Sequence, residues 1–364
     1  MKKNLTHLHV LRLVVAVLLS FTAHAVSAQS MDVQLPFLNM SGDVASVAKG
    51  FTGLATSPTP GDAFMNSAKS VAILNDQMAS NKSFISGGYK NFNGAAMSSV
   101  AFTNVNENGS NIFIAFRTLG TTSLQTPGFK NGTVSDWSGE VGTFQKIAAN
   151  EKWSWGATVR VFQTTMAADI TTTNGNAALP DALGISGDAS LFYNGRDEDN
   201  RGFGFGASIK NIGAPIQYAN FGAKMEKSYL PTDLAFGLSK TWVSTRHVQL
   251  EISADYHKSL SPGNSYDENG KQFYPNYGFM HIGQNYTYGF GMEYKHPIAK
   301  SSNNAWILRW GWIMDSMKTY YSGVTYGAGI RFGKIGIDAA YFSIPGVNNS
   351  MFGNTFQFGS SVRF

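Results

Sequence analysis

Apolar and polar residues alternate one by one along most of this chain, and the C-terminal run shows the pattern best. Within residues 356–364 one face is polar or small, and the other carries Phe356, Phe358, Val362 and Phe364. A period of two residues predicts a β-strand. One apolar and one polar face suit a barrel strand between lipid and a watery lumen, and a terminal aromatic residue is typical of bacterial outer-membrane barrels.

Comparable runs follow one another from residue 84 onward and predict an all-β fold. The clear runs span 152–161, 183–191, 248–257, 286–295, 306–312, 323–332 and 335–341. Weaker runs span 84–92, 95–104, 111–119, 136–147, 202–210, 232–241 and 274–282. With the C-terminal run the tally is fifteen, but single-chain bacterial barrels have an even number of strands. We therefore predict a transmembrane antiparallel β-barrel of about 14 strands, in which one weak run is not a strand. Asn-Gly pairs predict turns at 93–94, 131–132, 194–195 and 269–270.

Two other folds could account for parts of this pattern. A soluble β-sandwich explains the alternation, but it does not explain the outward tryptophans of the run 306–312 or the terminal phenylalanine. A transmembrane helix is the alternative for the apolar stretch 305–314. Arg309 would then lie in the membrane centre at a cost of a few kcal/mol, whereas in a strand it points into the lumen. The strand interpretation is therefore favoured.

The first residues have the pattern of a secretory signal peptide. Basic residues precede an unbroken apolar core at 13–19, and residues 26–28 form a small-residue cleavage site. The apolar core is too short to span a bilayer. We predict that residues 1–28 are a cleaved signal peptide and that the mature protein reaches the bacterial outer membrane. A buried N-terminal helix is the alternative.

Residues 29–82 do not follow the barrel pattern. Glycine, alanine, serine and proline are frequent between positions 41 and 74, with short apolar clusters and few β-branched runs. A fourteen-strand barrel has an interior that is either filled or wet. We predict that residues 29–82 form a small plug-like segment with short helices in the lumen, and that the outer-membrane barrel spans residues 83–364.

Composition excludes several classes of function. The absence of cysteine excludes disulfides, thiolate metal sites and cysteine nucleophiles. The leader holds three of the 28 basic residues, which leaves 25 against 23 acidic ones, so no nucleic-acid partner is indicated. No Gly-x-Ser-x-Gly elbow occurs, and no histidine has metal-like spacing. We therefore predict no enzymatic activity, no cofactor and no metal site.

Ionisable residues of both signs fall on the inward faces of the predicted strands. These candidate lumen-facing residues are Arg160, Asp188, Glu251, Asp255, Glu293, Arg309, Arg331 and Asp338. We interpret them as ion pairs that hold barrel and plug together, and a ligand path is the alternative. His257 shares a face with Asp255 and Glu251, but alternate strand positions lie about 7 Å apart, too far to chelate one ion without another strand.

Glycines also recur on the inward faces of the later strands. They are Gly289, Gly291, Gly311, Gly327, Gly329 and Gly336. Two physical explanations are open: close approach of another backbone, such as the plug or an inserted peptide, and bending of the strands themselves.

Several short stretches resemble the PorV/PorQ branch of the FadL-like outer-membrane proteins. Near the N-terminus they are Ala55-Thr-Ser-Pro58 and Asn66-Ser-Ala-Lys69, the second with Ser67 where the family has proline. Further along they are 210–218, 230–234, 327–341 and 354–356. The stretches occur in the order of the family, which makes the set more specific than any one of them.

The resemblance, with PorV-like proteins preferred, implies an outer-membrane barrel of the type IX protein secretion system of Bacteroidetes. PorV-like proteins bind secreted cargo through its C-terminal signal domain, at the translocon or at the surface attachment complex. The implied partners are a large translocon barrel subunit and cargo C-terminal domains, with the lipid and lipopolysaccharide of the outer membrane around the barrel. Partner contacts are then expected in extracellular loops at 118–134, 163–181 and 343–353.

The alternative function is a FadL-type passive transporter of hydrophobic small molecules, with the plug as its gate. Such a transporter also needs an apolar pocket, and the sequence alone does not assemble one. The sequence does not distinguish the two functions.

Overall fold

Strands dominate the structure, a computed structural model of the chain. It describes residues 36–75, 81–92, 95–106, 111–121, 135–147, 150–165, 181–216, 229–243, 248–260, 265–266, 272–273, 286–298, 304–315, 322–344 and 355–364. Within these residues, fourteen strands form one closed barrel in which every pairing is antiparallel. The prediction of an all-β barrel of fourteen strands is therefore confirmed.

The strands follow the barrel wall in chain order. They are β1 (Asn81–Phe92), β2 (Ala95–Asn106), β3 (Ile112–Thr121), β4 (Ser135–Ile147), β5 (Asn150–Thr165), β6 (Asp181–Arg196), β7 (Gly202–Gly213), β8 (Asp233–Val243), β9 (Gln249–Ser259), β10 (Ser265–Tyr266), β11 (Gln272–Phe273), β12 (Tyr286–Pro297), β13 (Ala305–Asp315), β14 (Gly323–Phe332), β15 (Ile335–Ser343) and β16 (Thr355–Arg363). The short β10 and β11 form a separate two-stranded sheet. In the wall β9 pairs with β12, and β16 closes the barrel on β1 with Gly359 opposite Gly88.

The fourteen barrel strands coincide with predicted runs, and the short β10 and β11 match none of them. The run 274–282 lies outside the described residues, as do the Asn-Gly pairs at 93–94, 131–132 and 269–270. The prediction of a turn at 194–195 is wrong because both residues lie within β6, paired with Gly204 and Phe203 of β7. Gly195 is not among the residues with positive φ, as a two-residue hairpin turn there would require.

Alternation along the strands separates two surfaces of the wall. Outward residues such as Leu183 and Phe358 are 68% and 56% exposed, whereas inward residues such as Glu140 are buried. A closed barrel satisfies its backbone hydrogen bonds internally, so an apolar outer surface of this kind suits lipid. No helix among the described residues is long and apolar enough to cross a membrane.

Residues 36–75, called the plug segment below, lie inside the barrel as the fold prediction required. They contain the helix α1 (Val44–Val47) and 3₁₀ helices at Pro36–Asn39, Asp62–Phe64 and Ser67–Asn75. Asp43 caps α1, because its carboxylate accepts hydrogen bonds from the Ala45 and Ser46 backbone nitrogens at 3.2 and 3.0 Å. The boundaries of the predicted signal peptide and plug-like region stay predictions.

The two ends of the barrel differ in the length of their connections. One end, called the short-turn end, carries the β6–β7 link at 197–201 and the β14–β15 link at 333–334. The other, called the long-loop end, carries the longer connections from β3 to β4, β5 to β6, β7 to β8 and β9 to β12. The loops predicted to contact partners belong to this end, and they lie mostly outside the described residues.

Candidate functional site

The plug segment crosses the lumen in direct contact with inward-facing glycines. Gly50 has a φ of +66°, and its backbone nitrogen donates to Thr325 Oγ1 at 2.8 Å. A Cβ added at Gly291 would lie 2.5 Å from the Lys49 carbonyl oxygen, and one added at Gly311 would collide with the Gly50 nitrogen. At these positions the wall approaches another backbone too closely for any side chain.

The six predicted glycines do not all serve this purpose. Gly289 lies against the Gly50 carbonyl, and Gly327 lies against the Ala48 methyl group. Gly329 and Gly336 instead face the side chains of neighbouring strands. Close approach of the plug backbone therefore explains only some of the six glycines.

Carboxylates of β9 bind the backbone of the plug segment. Asp255 Oδ2 accepts hydrogen bonds from the Gly53 and Leu54 nitrogens at 2.8 and 3.0 Å. Four residues earlier on the same strand, Glu251 Oε1 accepts from the Ser57 nitrogen at 2.7 Å. Hydrogen bonds to a charged acceptor are about twice as strong as neutral ones, so this strand anchors the middle of the plug.

Arg196 at the end of β6 supports the same stretch next to Glu251. Its guanidinium donates to the Ala55 carbonyl at 2.8 Å and to Glu251 Oε1 at 2.9 Å. Ser239 Oγ also donates to the Ala55 carbonyl, at 2.7 Å. The turn from Ala55 to Ser57 is thus held by side chains from three strands.

Lys49 of the plug segment lies close to two carboxylates of the barrel wall. Its ammonium nitrogen lies 3.9 Å from Glu251 Oε2 and 3.7 Å from Glu293 Oε2, and the lysine side chain is only 2% exposed. Both carboxylates also have an arginine partner, Arg196 for Glu251 and Arg309 for Glu293. The lysine therefore joins two existing ion pairs.

The ion pairs continue along the wall toward the short-turn end. Arg309 contacts Glu293 at 2.7 Å and Asp338 at 2.6 Å. Asp338 in turn contacts Arg331 at 2.9 Å. Charges of alternating sign thus cross β12, β13, β15 and β14, and each buried charge has an opposite neighbour, as burial in low dielectric requires.

A second group of charges lies on the other side of the lumen. Glu140 on β4 contacts Arg117 at 2.5 Å and Arg160 at 3.1 Å, and Arg160 contacts Asp188 at 2.8 Å. Arg117 Nη1 also donates to the Met40 carbonyl at 2.8 Å. This group therefore binds the start of the plug segment as well as the wall.

One ion pair lies wholly within the plug segment. Lys69 Nζ is 2.7 Å from Asp62 Oδ1 and also donates to the Gly53 carbonyl at 2.6 Å and to Thr56 Oγ1 at 3.0 Å. Burial raises the pKa of Asp62 from 3.8 to about 6, although the Lys69 charge opposes that rise. The pair folds the segment back on itself.

Apolar clusters flank the charged layer at both ends of the lumen. At the long-loop end, buried apolar side chains of the plug segment and wall meet, namely Phe37, Leu38, Met40, Ala95, Met97, Leu119, Phe162, Ala182, Ile216 and Leu230. At the short-turn end a second cluster comprises Ala63, Phe64, Val71, Phe84, Ala101, Val105, Phe113, Ala115 and Phe144. The plug is therefore held by apolar packing as well as by charge.

A cavity of about 960 Å³ lies at the short-turn end. The plug segment contributes residues 57–60 together with Ala72 and Ile73, and the wall and its short turns supply the remaining lining. The lining is mixed, with charged side chains beside apolar ones such as Ile307 and Ile335.

The eight residues singled out from the sequence occupy the layer between the apolar clusters. Glu251 and Asp255 contact the plug backbone, Glu293 faces Lys49, and the other five make the ion pairs described above. The geometry is that of mutual pairing, and whether any of them binds a ligand stays a prediction. In the described part of the chain, no group of three or more histidine and carboxylate residues could hold a metal ion.

Several site residues escaped the sequence reasoning. Arg117 and Glu140 lie in weak runs, and Arg196 follows the mispredicted turn. Strand alternation was the signal that could have found all three. His257 contacts Asp233 of β8 at 2.8 Å, a partner on another strand that the shared face with Asp255 and Glu251 did not indicate.

Comparison with known proteins gives structural likenesses only. No family model and no curated protein matches the sequence. The CymD monoaromatic hydrocarbon channel is similar with a TM-score of 0.52 at 12% identity, over 90% of this chain and 97% of that one. The toluene transporter TbuX from Ralstonia pickettii gives 0.51 at 15%, over 89% and 97%. A FadL homologue from Pseudomonas aeruginosa gives 0.50 at 12%, over 89% and 96%. The chain therefore has the fold of FadL-like outer-membrane channels.

Proposed function

We propose that this protein is an outer-membrane channel for hydrophobic small molecules. The observation that carries the proposal is the buried apolar cluster at the long-loop end, where Phe37, Leu38 and Met40 of the plug segment pack against the wall. Ligand sites in proteins are mostly apolar and concave. The solved structures of similar fold include a toluene transporter and a monoaromatic hydrocarbon channel, which supports the same class of substrate.

A hydrophobic molecule can enter only if the plug segment moves away from the wall at this cluster. Two polar contacts tether it there: the Met40 carbonyl accepts from Arg117, and Asn39 Oδ1 accepts from Asn211 Nδ2 at 2.7 Å. Burial of apolar ligand surface contributes about 25 cal/mol per Å². A ligand that replaces Phe37 and Leu38 therefore compensates for the packing that it displaces, and the plug segment acts as the gate.

The test is uptake by living cells. A strain that lacks the protein is compared with the same strain carrying it, and the initial uptake rate of radiolabelled toluene is measured at limiting concentration. We expect slower uptake in the deletion strain and full recovery on complementation. Equal initial rates of toluene uptake in the two strains would contradict the proposal.

A second candidate function is a component of the type IX secretion system. The observation that favours it is that the stretches resembling the PorV/PorQ branch include two residues of the contacts between plug and wall, Ala55 and Asn211. In that function the protein would bind a large translocon barrel subunit and the C-terminal domains of cargo proteins, through its loops at the long-loop end.

Affinity purification from native outer membrane separates the two candidates. Mass spectrometry of the co-purified proteins is expected to find a large translocon subunit or cargo C-terminal domains only if the second candidate holds. Secretion of cargo by the deletion strain is the matching cellular measurement. Intact secretion together with slow toluene uptake would favour the channel, and the reverse pattern would favour the secretion component.

A further inference from the structure

The cavity at the short-turn end has more positive than negative charge. Its lining includes eight cationic side chains, Lys146, Lys152, Arg196, Lys295, Arg309, Arg331, Lys334 and Arg363, and four carboxylates, Asp197, Glu198, Asp199 and Glu293. None of the lining residues belongs to the apolar cluster proposed for hydrophobic substrates. The cavity is therefore a second candidate site on the same molecule.

Four of the eight cations lie on one side of the mouth. Lys295, Arg331, Lys334 and Arg363 lie on β12, β14, the following turn and β16, which is one continuous arc of the wall. The Arg363 backbone nitrogen donates to the Lys334 carbonyl at 2.9 Å, which places these two residues side by side. Three of the carboxylates lie together in the β6–β7 turn at 197–199. We call Lys295, Arg331, Lys334 and Arg363 the cationic arc.

Part of the cationic arc is available for a ligand. Neither Lys295 nor Lys334 forms an ion pair with a carboxylate of the described residues. Arg331 contacts Asp338 but keeps 21% of its side chain exposed. Arg196 and Arg309, deeper in the cavity, are engaged by Glu251 and Glu293. Lys295, Arg331 and Lys334 are thus partly or fully accessible at the rim, whereas the deeper arginines are paired.

The width of the arc indicates the size of the ligand. From β12 to β16 there are four strand spacings, or roughly 19 Å along the wall. A single carboxylate or phosphate reaches only part of that distance, whereas an extended peptide rises about 3.3 Å per residue and covers it with about six residues. A cavity of about 960 Å³ is at the upper end of the size range of ligand pockets.

We propose that the cationic arc is a docking site for an acidic peptide segment of a periplasmic partner. The inference rests on the outer-membrane placement under the proposed function, which puts the short-turn end in the periplasm. It does not depend on what crosses the barrel. Carboxylates of the peptide bind Lys295, Arg331 and Lys334 at the rim, and its chain lies along the mouth beside residues 57–60 of the plug segment.

The test measures binding of a defined probe to the full-length protein in neutral detergent micelles. The probe is a fluorescein-labelled hexapeptide with four glutamates, and its affinity is read from fluorescence anisotropy at low ionic strength. We expect saturable binding that weakens as salt is added, because charges at the rim are screened. Lys295→Gln combined with Lys334→Gln is expected to weaken binding by about tenfold.

Matched controls keep the result specific. Lys240→Gln removes a cation from the outer wall, where the ammonium lies 3.8 Å above the Phe203 ring, and is expected to leave affinity unchanged. Heat-dependent gel migration verifies that each variant is a folded barrel.

Unchanged affinity in the folded double variant, or equal binding of a hexapeptide with four lysines, would overturn the proposal. Full displacement of the probe by an equal concentration of free glutarate would also overturn it, since the site would then serve small dicarboxylates. Toluene uptake is a separate measurement, so failure here leaves the channel proposal standing.

Discussion

Lys49 Nζ lies 3.7 Å from Glu293 Oε2, so a lysine of the plug segment completes an ion pair that the barrel wall already contains. Removing the only partner of a buried charge costs roughly 3–5 kcal/mol. Glu293 keeps Arg309 and Glu251 keeps Arg196, so Lys49→Met is expected to cost less, about 2 kcal/mol of unfolding free energy. Urea unfolding of the protein in lipid vesicles measures the change.

Loss of the same lysine also loosens the plug. We expect Lys49→Met to raise the ion conductance of the barrel in planar bilayers, because the segment at Gly50 loses its charged anchor. Lys240→Met, on the outer wall, is the matched control and is expected to change neither quantity. Identical unfolding and conductance in the two variants would show that Lys49 does not hold the plug.

Gly311→Ala tests the contact between the plug backbone and the wall. The added methyl group would meet the Gly50 nitrogen and the Lys49 carbonyl carbon, so the plug segment must shift. Overpacking of a buried site costs typically 1–3 kcal/mol. Gly139→Ala is a matched control, since a Cβ there has no atom within 4 Å. We expect limited proteolysis to cleave the plug segment faster in Gly311→Ala only, and equal cleavage rates would contradict the contact.

The fold was predictable because its signal is local. Each barrel strand carries its own period of two, so residues such as Trp306 and Arg309 are assigned to opposite faces without knowledge of any partner. Reliance on local sequence also caused the error at Asn194-Gly195. This residue pair is typical of turns, but its pairing with β7 holds it in an extended strand. That error concealed Arg196, which faces the lumen only because β6 continues to its end.

The site was predictable in kind but not in its pairing. Alternation of apolar and polar residues places Glu293 and Asp338 in the lumen. Which cation each one contacts depends on the strand register and on the path of the plug segment, whose sequence has no such alternation. Lys49 and Asp62 lie in that segment, and no sequence pattern marks them as buried charges. The role of Gly311 was left open for the same reason, since only the path of the plug distinguishes close approach from bending.

Asp62 predicts a pH dependence of stability. Its folded pKa of about 6 lies above the ordinary value of 3.8, because burial favours the protonated carboxyl. The folded state therefore binds more protons than the unfolded state between about pH 4 and pH 6, and the unfolding free energy falls as pH rises through that interval. The contribution of this one group is up to about 3 kcal/mol.

Asp62→Asn removes the titrating group and is expected to flatten this part of the pH profile. Urea unfolding of both proteins at several values between pH 4 and pH 7 gives the comparison, and the difference between the two curves should grow toward pH 7, because the buried side chain is then charged in the wild type and uncharged in Asp62→Asn. Asp197→Asn, at an exposed turn, serves as the control for the loss of one surface carboxylate. The same pH dependence of stability in the wild type and in Asp62→Asn would refute the assignment.

The apolar cluster at the long-loop end predicts a change in transport rather than in stability alone. Phe37 is fully buried there, and Phe37→Ala removes packing that holds the start of the plug segment in place. Truncation of a buried phenylalanine costs about 3–5 kcal/mol where the surroundings do not collapse. If the plug segment is the gate, toluene uptake is expected to rise severalfold, since the ligand no longer has to displace that ring.

Phe113→Ala makes the comparison specific to one end of the lumen. Phe113 is equally buried, but it lies in the cluster at the short-turn end. A similar loss of stability in both variants with faster uptake only in Phe37→Ala would locate the gate at Phe37. Faster uptake in both would mean that general loosening of the plug is sufficient. Unchanged uptake in Phe37→Ala, in a barrel that still folds, would separate this cluster from any transport path.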